Sequence, residues 1–220
     1  MSVRENIELL RRSVPENVKI VAVSKFHPVE QIREAYDDGQ RIFGESRVQE
    51  LVAKQAVLPD DIEWHFIGTL QRNKVKYIAP FIRLIHSLDS ESLMSEIDKR
   101  AVENNRIIPC LLQIHIAREI TKSGFAPQES TDFLAGGRWR NYPHVQLSGV
   151  MGMATLTDDA EQIRSEFRLL KSLFDEWKQK YFADEPAFSE ISMGMSDDYS
   201  IAVEEGSTMI RVGTMIFGKR

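Results

Sequence analysis

A lysine that closes an apolar run is the first residue with chemistry to offer. Lys25 follows Ile20-Val21-Ala22-Val23 and Ser24, and four apolar residues in a row read as a strand buried on both faces. At the carboxyl end of such a strand a lysine points at the mouth of the fold. Partial desolvation there lowers its pKa and makes its amine a nucleophile toward a carbonyl. Taken alone, it reads first as a snorkelling lysine with a wet head group, and the rest of the chain has to argue for the nucleophile. A second group of residues lies near the other end of the chain. Ser192-Met193-Gly194-Met195-Ser196 precedes a short helix expected from Asp197, and Gly213-Thr214 follows an apolar strand. Small residues whose backbone N–H groups can approach an anion suit a phosphate. Plain N-capping by Ser196 and a tight turn at Gly213 are the alternatives. Arg211 stands two residues before Gly213, and its guanidinium stays charged even at the end of a buried strand. It can pair with Glu204 or Glu205, or face a ligand nitrogen or oxyanion.

An amine, an anion cradle and a fixed cation are what pyridoxal phosphate requires: a group to take its aldehyde, donors for its phosphate and a partner for its pyridine nitrogen. An arginine opposite that nitrogen keeps it unprotonated and weakens the electron sink. Strong carbanion chemistry such as decarboxylation is then disfavoured.

The elements that must position these residues alternate along the chain. Val3, Ile7 and Leu10 mark a leading amphipathic helix. Strands are expected over residues 18–24, 41–44, 62–68, 81–87, 107–116, 145–153, 190–193 and 208–212. Between them, Pro28 opens a helix carrying Ile32, Ala35 and Tyr36, and Gly39 ends it. Ser46-Arg47-Val48-Gln49 has the form of a capping box. A basic helix is expected over 73–79, and Asp89 or Ser90 caps one carrying Leu93, Ile97 and Ala101. A helix near 128–134 ends at Gly136-Gly137 and leads into an irregular connection over 138–144. The clearest helix carries Ile163, Phe167, Leu170, Phe174 and Trp177, and the last covers 197–204, ended by Gly206. Strand and helix alternating eight times predict a (β/α)8 barrel of TIM type, an α/β fold with an extra N-terminal helix. A single domain over residues 1–220 is expected, without a second one. The turn after the first strand has no Gly-x-Gly-x-x-Gly, which argues against a dinucleotide-binding sheet. Active sites of such barrels lie at the carboxyl ends of the strands, with phosphate sites in the loops after strands seven and eight. Lys25, the 192–196 loop and Gly213-Thr214 all fall there, as does Ser87 after strand four.

Composition narrows the function classes. The 220 residues are 42% hydrophobic with a formal net charge of −5, so nucleic acid and membrane surfaces have no electrostatic support as partners. The single cysteine, Cys110, lies in an apolar run and reads as a buried core thiol. A signal peptide and an apolar run of membrane-spanning length are both missing from the sequence, so a cytoplasmic protein is expected.

The chain resembles the pyridoxal phosphate homeostasis proteins, single-domain barrels of the alanine racemase fold. The resemblance is carried by Ala22-Val23-Ser24-Lys25, Phe43-Gly44-Glu45, Val48-Gln49-Glu50-Leu51, residues 64–74 including His65, Thr121-Lys122-Ser123-Gly124-Phe125, and residues 149–154, 192–197 and 211–218. It implies that Lys25 holds pyridoxal 5'-phosphate as an internal aldimine, that Ser196, Gly213 and Thr214 bind the phosphate, and that Arg211 faces the pyridine nitrogen. Ser192, Ser46 and His65 are expected around the same cofactor. Two positions depart from the family pattern. Ser46 stands where asparagine is usual, which puts a polar contact to the cofactor in doubt and favours a capping role. His27 stands where a second lysine is frequent, so a hand-off through a second amine would need another residue, for which Lys122 is a candidate.

The resemblance implies a protein that holds and hands on the cofactor in vitamin B6 homeostasis, without turnover, as a monomer or weak dimer. Apo forms of cofactor-dependent enzymes would be its recipients. An amino-acid racemase is the alternative. It needs a base on each face of the substrate α-carbon. Lys25 supplies one, and only Tyr199 among the five tyrosines lies near the right end. The tyrosine-bearing second domain of larger racemases is not expected here. A class-I aldolase-like barrel would use Lys25 and the phosphate loops but would leave Arg211 without a role.

Overall fold

The computed structural model describes residues 2–119 and 123–218. In chain order the elements are α1 (Val3–Ser13), β1 (Lys19–Val23), α2 (Val29–Asp37), β2 (Ile42–Glu45), α3 (Val48–Gln55), β3 (Glu63–Phe66), α4 (Val75–Ile78), β4 (Leu84–Leu88), α5 (Glu91–Glu103), β5 (Ile108–Ile114), α6 (Pro127–Ala135), β6 (Val145–Gly152), α7 (Ala160–Tyr181), β7 (Glu190–Ser192), α8 (Tyr199–Glu204), β8 (Met209–Val212) and α9 (Thr214–Phe217). All eight strands are parallel and close into a barrel in sequence order. The expected (β/α)8 architecture is therefore the one found.

Two apolar regions hold it together. Val21, Leu84, Leu111, Met151 and Met209, from five different strands, form a small plug inside the barrel. The larger core lies between the strands and the helices, where Ile163, Phe167, Leu170 and Trp177 of α7 are buried on one face at the spacing of a helical stripe. Asp159 caps α7 through the N–H groups of Glu161 and Gln162, and Ser90 caps α5. One irregularity interrupts the ladder between β5 and β6. Cys110 pairs with Leu147 but Leu111 pairs with Gly149, so Ser148 is an extra residue on β6. Closure is made by β1 and β8, with Lys19 opposite Met209 and Val21 opposite Arg211. The two ends of the chain meet there: the Asn6 amide of α1 donates to the Ile216 carbonyl of α9 at 2.9 Å.

Several boundaries differ from expectation, each for a local reason. The helix after β2 starts at Val48 with Arg47 as its cap and no side-chain cap bond, so Ser46 and Gln49 form no capping box. The last-but-one helix starts at Tyr199 with Asp198 before it, so Ser196 does not cap it. The basic segment is a 3-10 turn over Arg72–Lys74 followed by the single turn α4, and the connection after α6 contains a 3-10 turn over Arg138–Asn141. Strand β4 runs over Leu84–Leu88, later than expected at both ends, and its extension to Leu88 places Ser87 inside the strand, buried, rather than in the loop after it. The helical turn α9 was not expected. Cys110 is buried and free, and burial raises its thiol well above the ordinary range. Among the described residues, no helix is long and apolar enough to cross a membrane. Lys122 lies outside the described residues.

Candidate functional site at the barrel mouth

Lys25 leaves the end of β1 half-buried, and a polar cluster holds the backbone on either side of it. The His27 N–H donates to the Ser24 carbonyl at 3.0 Å, closing a tight turn in which Phe26 has φ +66. That value lies in the left-handed region where glycine is the usual occupant, so the turn carries backbone strain at a phenylalanine. Lys54, on α3, offsets it. Its Nζ donates at 2.7 Å to the Ser24 carbonyl, to Glu45 Oε1 at the end of β2, and to Glu50 Oε1. Ser24 Oγ donates to the same Glu45 oxygen at 2.6 Å, and the Phe26 N–H donates to Glu50 Oε1 at 2.5 Å. Burial pushes the Glu45 carboxyl up, against the opposing bonds from Lys54 and Ser24. Burial also raises Glu50, but Lys54 and the Phe26 N–H overcome it and leave that carboxyl below its ordinary value.

Beside Lys25 across the closure come the loops after β8 and β7. Gly213 follows β8 so closely against β1 that an added Cβ would sit 3.1 Å from the Val23 carbonyl. Thr214 after it is exposed and opens α9. In the loop after β7, Gly194 has φ +95, its carbonyl accepts the Arg211 N–H at 2.9 Å, and Asp198 accepts the Met195 N–H at 2.6 Å. These bonds shape the loop and leave Ser196 half-buried between them.

Arg211 points into the barrel and is buried. It does not pair with Glu204 or Glu205. Those carboxylates bind Arg164 at 2.6 and 2.5 Å on the outside of the fold. Instead Arg211 Nη1 donates to the Ser192 carbonyl at 2.8 Å and to Ser192 Oγ at 2.6 Å, and Nη2 donates to the Gly152 carbonyl at 3.0 Å. Burial lowers its guanidinium to about 10, with Asp198 opposing, so it is a cation at neutral pH. Three of its five N–H donors are used in these bonds. A lysine could hold the charge but not this fork. We expect Arg211→Lys to lower unfolding stability by about 2 kcal/mol, as buried acceptors on Ser192 and Gly152 lose partners. Denaturant melts read this directly.

The polarity of the network continues across the barrel. Ser192 Oγ accepts from Arg211 and is hydrogen-bonded to His86 Nδ1, 2.9 Å away. His86 Nε2 in turn is hydrogen-bonded to His65 Nδ1 at 3.0 Å, so a chain of hydrogen bonds runs from Arg211 through Ser192 and His86 to His65. Burial holds both imidazoles neutral: His65 falls to about 3, with Lys19 and Arg83 adding to the effect, and His86 falls well below its ordinary value. His65 lines a cavity of about 290 Å3 at the amino-terminal mouth, with Lys19, Glu63, Arg83 and Glu190.

The structure therefore brings Lys25, Gly213, Thr214 and Ser196 to one mouth, with Arg211 and Ser192 beneath them. His65 is not at that mouth, and it reaches Arg211 only through His86 and Ser192. Ser46 stays near β3, where its backbone crowds Gly68. Tyr199 turns away, and its phenol meets Ser13 Oγ of α1 at 3.2 Å. Sequence reasoning missed Lys54 and His86. Lys54 had a visible signal: it falls on the buried stripe of α3 with Val48 and Leu51, four residues after Glu50. A charged residue on an apolar stripe, with a carboxylate one turn away, marks a buried pair.

The sequence matches the family described as "Alanine racemase, N-terminal domain" over residues 1–220. The chain belongs to this family. Among curated relatives, a pyridoxal phosphate homeostasis protein of Aquifex aeolicus (strain VF5) is 41% identical over 203 residues, covering 92% of this chain and 87% of its own. One of Pasteurella multocida (strain Pm70) is 37% identical, covering 100% and 98%. Among solved structures, PipY of Synechococcus elongatus PCC7942 with PLP bound aligns with a TM-score of 0.88 at 38% identity, covering 99% of this chain and 100% of its own. The alanine racemase of Bartonella henselae, at 15% identity and a TM-score of 0.73, covers 99% of this chain and 60% of its own. At that identity it shares the barrel fold with this chain.

Proposed function

We propose that this chain binds pyridoxal 5'-phosphate at the carboxyl mouth of the barrel and holds it for transfer to other proteins, without turnover of its own. One observation carries the reading. Barrel closure sets a half-buried lysine, two small-residue loops and a buried arginine on the adjacent strands β1, β8 and β7. The Gly213 turn fits a phosphate cradle, since a side chain there would fill the space against β1. The names of the curated relatives and the PLP-bound PipY structure support the same ligand.

Bound there, the cofactor supplies an aldehyde that condenses with an amine, releasing one water, and a pyridine ring that draws electrons. The chain's residues do the rest. Lys25 offers the amine. Ser196, Gly213 and Thr214 hold the phosphate. Arg211, a donor with no acceptor, faces the ring nitrogen and keeps a proton off it. Ser192 positions Arg211, and His65 acts at one further remove through His86. Ser46, not spent on helix capping, remains at the end of β2 near the same mouth. A racemase would need a second base facing Lys25, and the Tyr199 phenol is engaged with α1 instead. The chain acts in the cytoplasm in vitamin B6 homeostasis, as a monomer or weak dimer. Apo enzymes that use the cofactor are its recipients.

The test is optical. Purified protein mixed with the cofactor should gain a visible band that borohydride bleaches, leaving the added mass on the peptide containing Lys25. Lys25→Ala should show neither. A colourless wild-type mixture would overturn the reading. Steady interconversion of D- and L-amino acids would replace the carrier with the racemase.

A further inference from the structure

We infer that Lys54, through Glu45 and Glu50, is the positioning residue that presets the Lys25 turn. The inference rests on the reading of Lys25 as the cofactor's amine. Ser24 and Phe26 flank Lys25, and the ammonium of Lys54 governs the backbone of both. It binds the Ser24 carbonyl directly, and it holds the Glu50 oxygen that takes the Phe26 N–H. Glu45 ties in the Ser24 hydroxyl through the oxygen it shares with Lys54. Five bonds of 2.5–2.7 Å thus converge on one buried ammonium and two carboxylates.

The arrangement has features that a simple stabilising pair would lack. With the His27 N–H, the Ser24 carbonyl accepts two donors, which uses both of its lone pairs. The restrained turn includes the positive-φ residue Phe26. A strained non-glycine turn persists where its surroundings over-determine it, and such turns concentrate at functional sites. Lys54 and Glu45 are buried to 5% and 0% exposure, so water does not weaken their bonds. Glu45 Oε2, on the same carboxylate, is buried without a partner among the described residues. The stripe that α3 packs against the barrel is otherwise apolar, with Val48 and Leu51 beside position 54, so the charge there serves Glu45, Glu50 and the Ser24 carbonyl rather than the packing of the helix. The lysine is placed for what it does to residues 24–26. Holding an amine in a single approach direction lowers the ordering cost of reaching a carbonyl.

The test has two readouts on the full-length chain. The first is hydrogen exchange of the cofactor-free protein, followed by mass spectrometry. Lys54→Met should speed exchange in the peptide spanning residues 24–27 by about tenfold or more, while peptides from β5 and α7 keep the parent rate. The second compares pyridoxal 5'-phosphate with pyridoxine 5'-phosphate, which has an alcohol in place of the aldehyde. The variant should bind the alcohol within about twofold of the parent but form the visible lysine adduct about tenfold more slowly. If Lys54→Met fails to fold because Glu45 is left as an unpaired charge, Lys54→Met combined with Glu45→Gln removes that charge and is measured the same way. Unchanged exchange at 24–27 together with an unchanged adduct rate overturns the inference. So does a uniform rise in exchange across β5 and α7 with equal loss of both ligands, which marks general destabilisation. A parent protein that gives no visible adduct instead defeats the cofactor reading, and the exchange data then decide the clamp alone.

Discussion

Lowering the pH from 6.5 to 4.5 should remove about 2 kcal/mol of unfolding stability through His65, with His86 adding to the loss in the same direction. The sign follows from proton counting. In the folded chain burial keeps both imidazoles neutral, His65 to about 3 and His86 well below its ordinary value. In the unfolded chain each takes up a proton near pH 6.5. Below that pH the unfolded state binds more protons, so stability falls as pH falls, approaching about 1.4 kcal/mol per pH unit for His65, and His86 acts in the same sense. The loss continues until the folded-state values are reached and is absent above the unfolded value. Glu45 and Asp198 act in the opposite sense, because burial raises both carboxyls. A raised carboxyl favours the folded state as the pH drops through its folded value toward its lower unfolded value, which blunts the lower part of the curve. Denaturant unfolding at pH 6.5, 5.5 and 4.5, read by circular dichroism, measures the slope. His65→Gln offers His86 Nε2 either a donor or an acceptor and removes one titrating ring, so its slope should be smaller by about one proton. An identical slope in the variant would mean that the buried imidazoles do not set the acid limit.

Gly149→Ala should prevent folding altogether. Gly149 lies on β6 just past the extra residue Ser148 and pairs with Glu190 on β7. Its φ is +146, and a Cβ there would lie 1.8 Å from the Glu190 carbonyl oxygen and 2.7 Å from the carbonyl carbon. Both atoms are backbone, so no rotamer relieves the clash. In an open sheet the neighbouring strand could move aside. In a closed barrel it is held by β8 on its other edge, and displacing it strains the whole ring. The expected loss exceeds about 5 kcal/mol, the range reserved for specific steric or core defects. Soluble yield and far-ultraviolet circular dichroism are the measurements. A well-folded variant melting within a few degrees of the parent would show that β6 can rebuild its bulge.

The fold was legible because strand and helix alternate cleanly, and because the α7 stripe of Ile163, Phe167, Leu170, Phe174 and Trp177 has no other reading. The approximate position of Lys25 follows from one apolar run, and that of Arg211 from another. What the sequence hid depends on neighbours across the barrel. Ser46-x-x-Gln49 satisfies the local pattern of a capping box, yet the helix starts two residues after Ser46. Arg211 has two glutamates close by in the chain. They bind Arg164, because α7 passes over α8 and offers the nearer cation. His86 sits in an apolar strand, and its meaning comes only from His65 on β3 and Ser192 on β7. α9 is a single turn of four residues, too short for a periodic signal.

The seam between β1 and β8 has a consequence in time as well as in space. The proposed site takes its amine from residue 25 and its ring partner and phosphate turn from residues 211–214, so a growing chain holds the first for nearly its whole synthesis before the others exist. Pairing of the first strand with the last is the most distant contact a barrel can make in sequence, and the loop-closure entropy of so distant a contact predicts that it forms late. Until it closes, the strand that ends in Lys25 has an open edge and the lysine has no cradle. A nascent or truncated chain would then expose an ordinary amine to the cell's free aldehydes, whereas the completed ring would select among them by their phosphate. Selectivity in this protein would thus arise at the last stage of its folding, and a chain truncated before residue 214 should bind the cofactor no better than a peptide containing lysine does.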